Sequence, residues 1–231
     1  RGGTITLTEG ELRVTESLTI QGLGAGSLTI SGGDSSRLFV LGGDGANVYN
    51  FNDIALADGN GQGNNERRGG GALHMFADRN DVININRSVL RNHQTNNRVG
   101  AAISLIFGSL SITDSAIVNN GGGQGTIYLQ DATGNITNST LSGNQSGFGA
   151  VWARSGFGSA DLSLTNVTVA NNGEGVFYSS ELPNAKTTVR YRNSIFSGNE
   201  KSFQIGGTTG TISLTSQGNN ILSDATGDPA P

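Results

Sequence analysis

Short apolar runs recur along the whole chain, separated by glycine, asparagine, aspartate and serine. Runs of this length bounded by turn residues predict many short β-strands. The runs also keep a register. Six segments align: Phe51 to Leu56, Ile85 to Leu90, Ile112 to Ile117, Ile136 to Leu141, Leu164 to Val169 and Tyr191 to Phe196. Gln217 to Leu222 is a divergent seventh. Their closing residues are spaced 34, 27, 24, 28, 27 and 26 apart. A period near 26 residues is the sign of a solenoid, in which each turn of chain stacks on the last.

The polar positions between the apolar ones refine this. The first and last residues of each segment are large and apolar, whereas the fourth is mostly small, as in Ser88, Ser115, Ser139 and Ser194. Positions one and four cannot both face inward along a flat strand, so the chain is expected to bend at the third position. That position holds Asp53, Arg87, Asp114, Asn138, Asn166, Asn193 and Asn219. Three residues beyond each closing apolar residue stands another column: Gly59, His93, Asn120, Asn144, Asn172 and Asn199. Asparagine tolerates left-handed backbone and bonds locally through its amide. A stacked asparagine column therefore predicts a solenoid corner in which side chains bond from turn to turn.

A second strand follows this corner and opens on Gly71, Gly100, Gly125, Gly149 and Gly175; a third merges into the next repeat segment. The stretches Thr4–Leu7, Ser17–Ile20, Ser27–Ile30 and Arg37–Leu41 read as earlier turns. The prediction is an all-β, right-handed, single-stranded parallel β-helix of about nine turns of roughly 26 residues. It forms a single domain over residues 1–231, with a loop insertion at 58–70 and the start of a C-terminal linker at 225–231.

Composition narrows the function classes. The 37 glycines mark turns between strands and show no collagen period. A net charge of −4 without a basic cluster lacks the footprint of nucleic-acid binding. No apolar run has the length of a membrane span. The absence of cysteine excludes disulfides and thiolate metal sites.

The run Ser17-Leu-Thr-Ile-Gln-Gly-Leu-Gly-Ala-Gly-Ser-Leu-Thr-Ile-Ser31, the type Ile136-Thr-Asn-Ser-Thr-Leu-Ser-Gly-Asn144, and Ser216-Gln-Gly-Asn-Asn-Ile-Leu-Ser-Asp224 resemble bacterial secreted right-handed β-helix repeat proteins. The nearest in kind end in a choice-of-anchor domain or are polymorphic outer-membrane, adhesin-like passengers. The resemblance implies a secreted or cell-surface location and a non-catalytic spacer and binding module within a larger protein. Its partners would be a polysaccharide or a surface protein, together with further domains of the same chain or neighbouring copies.

Two other classes compete with this reading. One is a polysaccharide lyase or glycoside hydrolase of the pectate-lyase-like class, and the other is a structural subunit of an extracellular assembly. Such enzymes need clustered carboxylates with a basic residue beside them. Here the acids are scattered. Asp53, Arg87 and Asp114 read as a surface charge ladder, Asp78 and Asp131 are interrupted by Phe107, and Asp161 stands alone. His93 reads as a corner donor, and no spacing suggests a nucleophilic triad. The assignment therefore leans away from catalysis, with no catalytic residue proposed.

The ligand-binding candidates lie on the glycine-started strand. Three residues after each glycine stand His74, Ile103, Tyr128, Trp152 and Tyr178. With Leu73, Ala102, Ile127, Val151 and Phe177 facing the core, this column would point outward as a ladder of rings, with Gln130 and Arg154 beside it. Exposed rings flanked by hydrogen-bonding groups suit sugars or a protein contact. The alternative arrangement covers the strip with the Asn92–Val99 and Ser155–Ala160 loops, or reverses its parity. No cofactor is expected, and calcium is the one candidate. Asp58, Asn60, Gln62 and Asn64 alternate like the oxygen ligands of a calcium loop, but Gly69 occupies the position of the closing acid, which favours a plain polar loop.

Overall fold

A computed structural model describes residues 2–61, 69–76 and 80–223. Their strands follow one cyclic order, and every strand pairs in parallel with its counterpart one turn later. Sheet 1 runs from Gly3–Thr6 to Ile221–Leu222 and has nine strands. Sheets 2 and 3 have eight each, from Leu12–Val14 to Phe203–Thr208 and from Leu18–Gln21 to Thr211–Ser216. The chain is a right-handed parallel β-helix of eight complete turns and the first strand of a ninth. The four N-terminal stretches belong to the first two turns, so the count of about nine holds only for sheet 1.

The segment repeat is the wall between two sheets. Its first residues, Phe51, Ile85, Ile112, Ile136, Leu164 and Tyr191, stack inside sheet 3. Its last residues, Leu56, Leu90, Ile117, Leu141, Val169, Phe196 and Leu222, stack inside sheet 1. Most of these side chains are fully buried, and each contributes roughly 1.5–3 kcal/mol through burial. The bend between them is the third position. Asp53, Arg87, Asp114, Asn138, Asn166, Asn193 and Asn219 all have left-handed backbone, with φ between 48° and 59°. The small fourth residue makes a serine ladder at this corner. Ser88 Oγ accepts from Ile54 N at 3.3 Å, Ser115 Oγ from Ser88 N at 3.1 Å and Ser139 Oγ from Ser115 N at 3.1 Å.

The asparagine column is the corner between sheets 1 and 2. Asn144 Oδ1 accepts from Asn120 N at 3.1 Å and from Asn120 Nδ2 at 2.9 Å. Asn172 and Asn199 repeat the pattern on Asn144 and Asn172. The same amides donate inward to Leu90, Ile117, Leu141 and Val169 carbonyls. The left-handed residue is the one before each ladder member: Asp58, Asn92, Asn119, Gly143, Asn171 and Gly198. Gly59 has no side chain, and His93 takes the amide's place. Its Nδ1 accepts from Gly59 N at 3.0 Å, and Nε2 lies 3.0 Å from Leu56 O.

Arg37 is fully buried at the base of the 58–70 insertion and pairs with Glu11 at 3.0 Å. Its Nε donates to Gly69 O at 2.8 Å and to Gly70 O at 3.1 Å, while Nη2 reaches Gly61 O at 3.4 Å. Gly69 N also donates to Gly61 O at 3.1 Å. The two feet of the insertion are thus held together over a buried cation.

Candidate functional site

Sheet 2 sets the geometry of the candidate site, and its register follows the inward column rather than the glycines. Leu73, Ile103, Ile127, Val151 and Val176 pair in sequence, so His74, Ser104, Tyr128, Trp152 and Phe177 share the outward column. Gly100 precedes its inward residue by three positions and Gly175 by one, whereas Gly71, Gly125 and Gly149 precede theirs by two. Counting from glycine therefore misplaces two positions. Ile103 faces inward with Ser104 outside it. Tyr178 faces inward as a fully enclosed core ring, and Phe177 takes its expected place.

The outward rings do not form an open platform. Tyr128, Trp152 and Phe177 are 3%, 8% and 7% exposed and pack with Val99, Ile106 and Phe148 as a second apolar cluster. Phe148 roofs them, with ring centres 4.5 Å from Trp152 and 4.7 Å from Phe177. The rings meet at tilted or edge-on angles, as with Tyr128 and Trp152 at 62°. Trp152 Nε1 donates to Ser179 Oγ at 3.2 Å. The cover comes from Val99, at the end of the expected Asn92–Val99 loop, and from Phe148, which precedes the next glycine-started strand. Trp152 therefore faces this cluster and not a ligand, and the hydroxyl edge of Tyr128 reaches the polar groups of Gln130 and Arg154. His74 is buried beside a cleft of about 330 Å³ that it lines with Arg13, Val40, Asp44 and Phe76.

The polar residues cluster at the corner between sheets 2 and 3. Arg154 and Gln130 are paired neighbours on adjacent strands. Arg154 Nη1 donates to Gln130 Oε1 at 2.7 Å and to Tyr128 Oη at 3.1 Å, while Tyr128 Oη donates to Gln130 Oε1 at 2.5 Å. Arg154 Nε donates to Glu181 Oε1 at 2.6 Å, and Nη2 contacts the other carboxylate oxygen. This fork lowers the Glu181 pKa and raises that of Arg154. Burial raises the Tyr128 phenol.

Asp131 shapes the neighbouring loop. Its Oδ1 accepts from Gly156 N at 2.9 Å, Phe157 N at 3.1 Å and Gly158 N at 2.8 Å. Phe157 thus sits on a backbone pinned at three successive amides, yet its ring is 78% exposed. Sequence reasoning missed this presentation, although an aromatic residue between two glycines was a readable signal.

Three further acids, Asp53, Asp161 and Asp58, are also engaged. Arg87 binds Asp53 through Nε at 2.8 Å and Nη2 at 2.7 Å, and this contact, with Gln21, holds the Asp53 pKa down at about 2. Asp161 pairs with Arg190 at 3.0 Å. Asp58 accepts from Ser31 Oγ at 3.1 Å and Asn92 Nδ2 at 3.2 Å, and Asn60 Nδ2 donates to Asp34 O at 3.1 Å. Gln62 and Asn64, the other candidate calcium ligands, lie outside the described residues, as do Asp78 and the 225–231 segment. Among the described residues, no group of three or more His, Cys, Asp or Glu could hold a metal ion. No helix among them is long and apolar enough to cross a membrane.

No protein-family model and no curated protein matches the chain. Among the solved structures similar to it, two are as follows. One is the A-module of mannuronan C-5 epimerase AlgE6 from Azotobacter vinelandii, at 13% identity, 96% coverage of this chain, 91% of that one, and a TM-score of 0.28. The other is endopolygalacturonase I from Stereum purpureum, at 12% identity, 96% and 94% coverage, and a TM-score of 0.24. Likeness at this level carries no argument about chemistry.

Proposed function

We propose that the protein is a non-catalytic, adhesin-like β-helix module of a secreted or surface-displayed protein, and that it contacts a polysaccharide at the corner between sheets 2 and 3. The observation that carries this reading is Phe157. A ring left largely in water forgoes roughly 1.5–3 kcal/mol of burial, and here the loop beneath it is fixed by Asp131. A rigid exposed ring beside the Arg154–Gln130–Tyr128 network offers a sugar both an apolar face and directed hydrogen bonds. The acids on this face favour binding over hydrolysis or elimination. Asp131 accepts three amides, and Glu181 and Asp161 are paired with arginines.

Affinity electrophoresis through gels containing soluble polysaccharides tests the reading. The wild-type chain is expected to be retarded by at least one polysaccharide, and Phe157→Ala to run freely. Equal retardation of Phe157→Ala would remove this corner, the Phe157 rim, from the binding surface.

A further inference from the structure

The opposite edge of sheet 2, at the asparagine corner, carries a second and chemically different feature. A groove of about 350 Å³ opens there, lined by Asn92, Gln94, Asn119, Gln145 and the backbones of Gly121 and Gly143 over the His93–Asn120 floor. Its volume lies at the lower end of the roughly 300–1,000 Å³ typical of small-ligand sites.

Two missing side chains make the groove. Gln94, Gly121 and Gln145 occupy one column, bridged turn to turn, so a glycine separates two glutamines. In the neighbouring column Asn92 and Asn119 are followed by Gly143. A Cβ at Gly143 would lie 2.5 Å from Asn119 Oδ1, so a side chain there would first have to turn the Asn119 amide aside. Gly121 is not constrained in this way. Its backbone φ is not positive, and an added Cβ would first meet Gln145 O at 3.2 Å. A side chain at Gly121 thus needs no left-handed backbone, only a small retreat of the Gln145 carbonyl.

The lining specifies the ligand class. It holds five primary amides, four in the walls and that of Asn120 in the floor beside His93, and no Asp, Glu, Lys, Arg or aliphatic side chain. The side-chain amides of Gln94 and Asn119 form no hydrogen bond with the described fold, whereas Asn92 donates to Asp58 and Gln145 Nε2 weakly to Asn171 O at 3.4 Å. Each free amide offers both donors and an acceptor. Beneath them the buried ladder holds His93 and Asn120 in place, so the floor is rigid. We infer that this groove is a binding site for a neutral saccharide, one pyranose unit in size, read by side-chain amides and the glycine backbone. A charged sugar finds no counter-ion among these lining side chains.

The site is independent of the Phe157 rim, and the test keeps the two apart. ¹⁵N-labelled protein is titrated with cellotetraose, mannotetraose and chitotetraose, with tetragalacturonate as the charged comparison, and the side-chain amide signals are followed. At least one neutral tetraose is expected to shift the Gln94, Asn119 and Gln145 amides, with a dissociation constant on the order of 1 mM. Gly121→Gln, which fills the vacancy, is expected to weaken this at least about tenfold, and Phe157→Ala to leave it unchanged. Gln94→Ala combined with Gln145→Ala gives a second variant that leaves the backbone untouched. The inference is overturned if no neutral tetraose shifts these amides, if tetragalacturonate binds there more tightly, or if both groove variants bind like the wild type.

Discussion

His93 makes the stability of the third and fourth turns depend on pH. Its ring is completely enclosed, with Nδ1 facing the Gly59 N–H and Nε2 facing the Leu56 carbonyl. One nitrogen must accept and the other donate, so the neutral Nε2–H tautomer fits and the imidazolium does not. Burial lowers the pKa from 6.5 to about 4, against the Leu56 carbonyl and Asp58, which raise it, and with Arg91, which lowers it further. The unfolded chain therefore takes up a proton near pH 6.5 while the folded chain resists until about pH 4. The contribution is fully present above pH 6.5 and is lost as pH falls to about 4. The two values lie 6.5 − 4 = 2.5 units apart, and at about 1.4 kcal/mol per unit the full loss is roughly 3–4 kcal/mol, of which about 3 kcal/mol is reached by pH 4, where the folded form is half protonated.

His93→Asn isolates this effect, because asparagine restores the ladder. Its Oδ1 can accept from Gly59 N and its Nδ2 can donate to Leu56 O, as Asn120 does to Leu90 O. The introduced amide does not titrate, and other acids such as Asp53 are common to both proteins and cancel. Urea unfolding followed by the emission of Trp152, the single tryptophan, measures both stabilities from about pH 7 to about pH 4. Wild type is expected to lose about 3 kcal/mol relative to His93→Asn over that range. Parallel pH curves would show that burial of the ring has no such consequence.

Two further predictions concern buried polar groups. Asn144→Ala leaves the Asn120 N–H and amide without their acceptor and Ile117 O without its donor; it should cost about 3 kcal/mol or more, read from the urea midpoint. Arg37→Met strands Glu11 and releases the carbonyls of Gly61, Gly69 and Gly70. A loss of about 3 kcal/mol is expected, with faster tryptic cleavage after Arg67 or Arg68; an unchanged midpoint and cleavage rate would deny Arg37 its anchoring role.

The parts of this fold that repeat were legible in the sequence, and the parts that occur once were not. Leu56 through Leu222 and Asn120 through Asn199 mark two walls and a corner because the same constraint recurs every turn. Sheet 2 defeated the same logic at two positions. Ile103 precedes Ser104, and Phe177 and Tyr178 are both aromatic, so a one-residue offset of Gly100 and Gly175 reversed the parity without leaving a polar residue visibly misplaced. Val99 and Phe148 stand before Gly100 and Gly149, but Gly70, Gln124 and Glu174 hold the matching places before Gly71, Gly125 and Gly175, so this roof leaves no period to detect. Arg37 opens the stretch Arg37–Leu41, whose reading as an early turn gives its charge no role. Its partner Glu11 lies 26 residues earlier, one turn away, which is the separation at which a buried charge in a solenoid should be searched for a mate.

The ladders have a consequence for how such a chain can lengthen or shorten. Asn120, Asn144 and Asn172 each give their N–H groups to the asparagine oxygen one turn ahead, and the serines beside sheet 3 do the same with their backbone N–H groups. Each turn along this stack thus presents the same acceptor to the turn before and the same donors to the turn after. A whole turn can be duplicated or lost there, and the flanking turns still meet with every bond made. A gain of one or two residues inside a wall would put every later amide out of reach. Extra residues must instead leave at a corner, as at 58–70, where closure at the base spares the stack. The walls of this solenoid therefore change length in units of a turn, and its corners residue by residue.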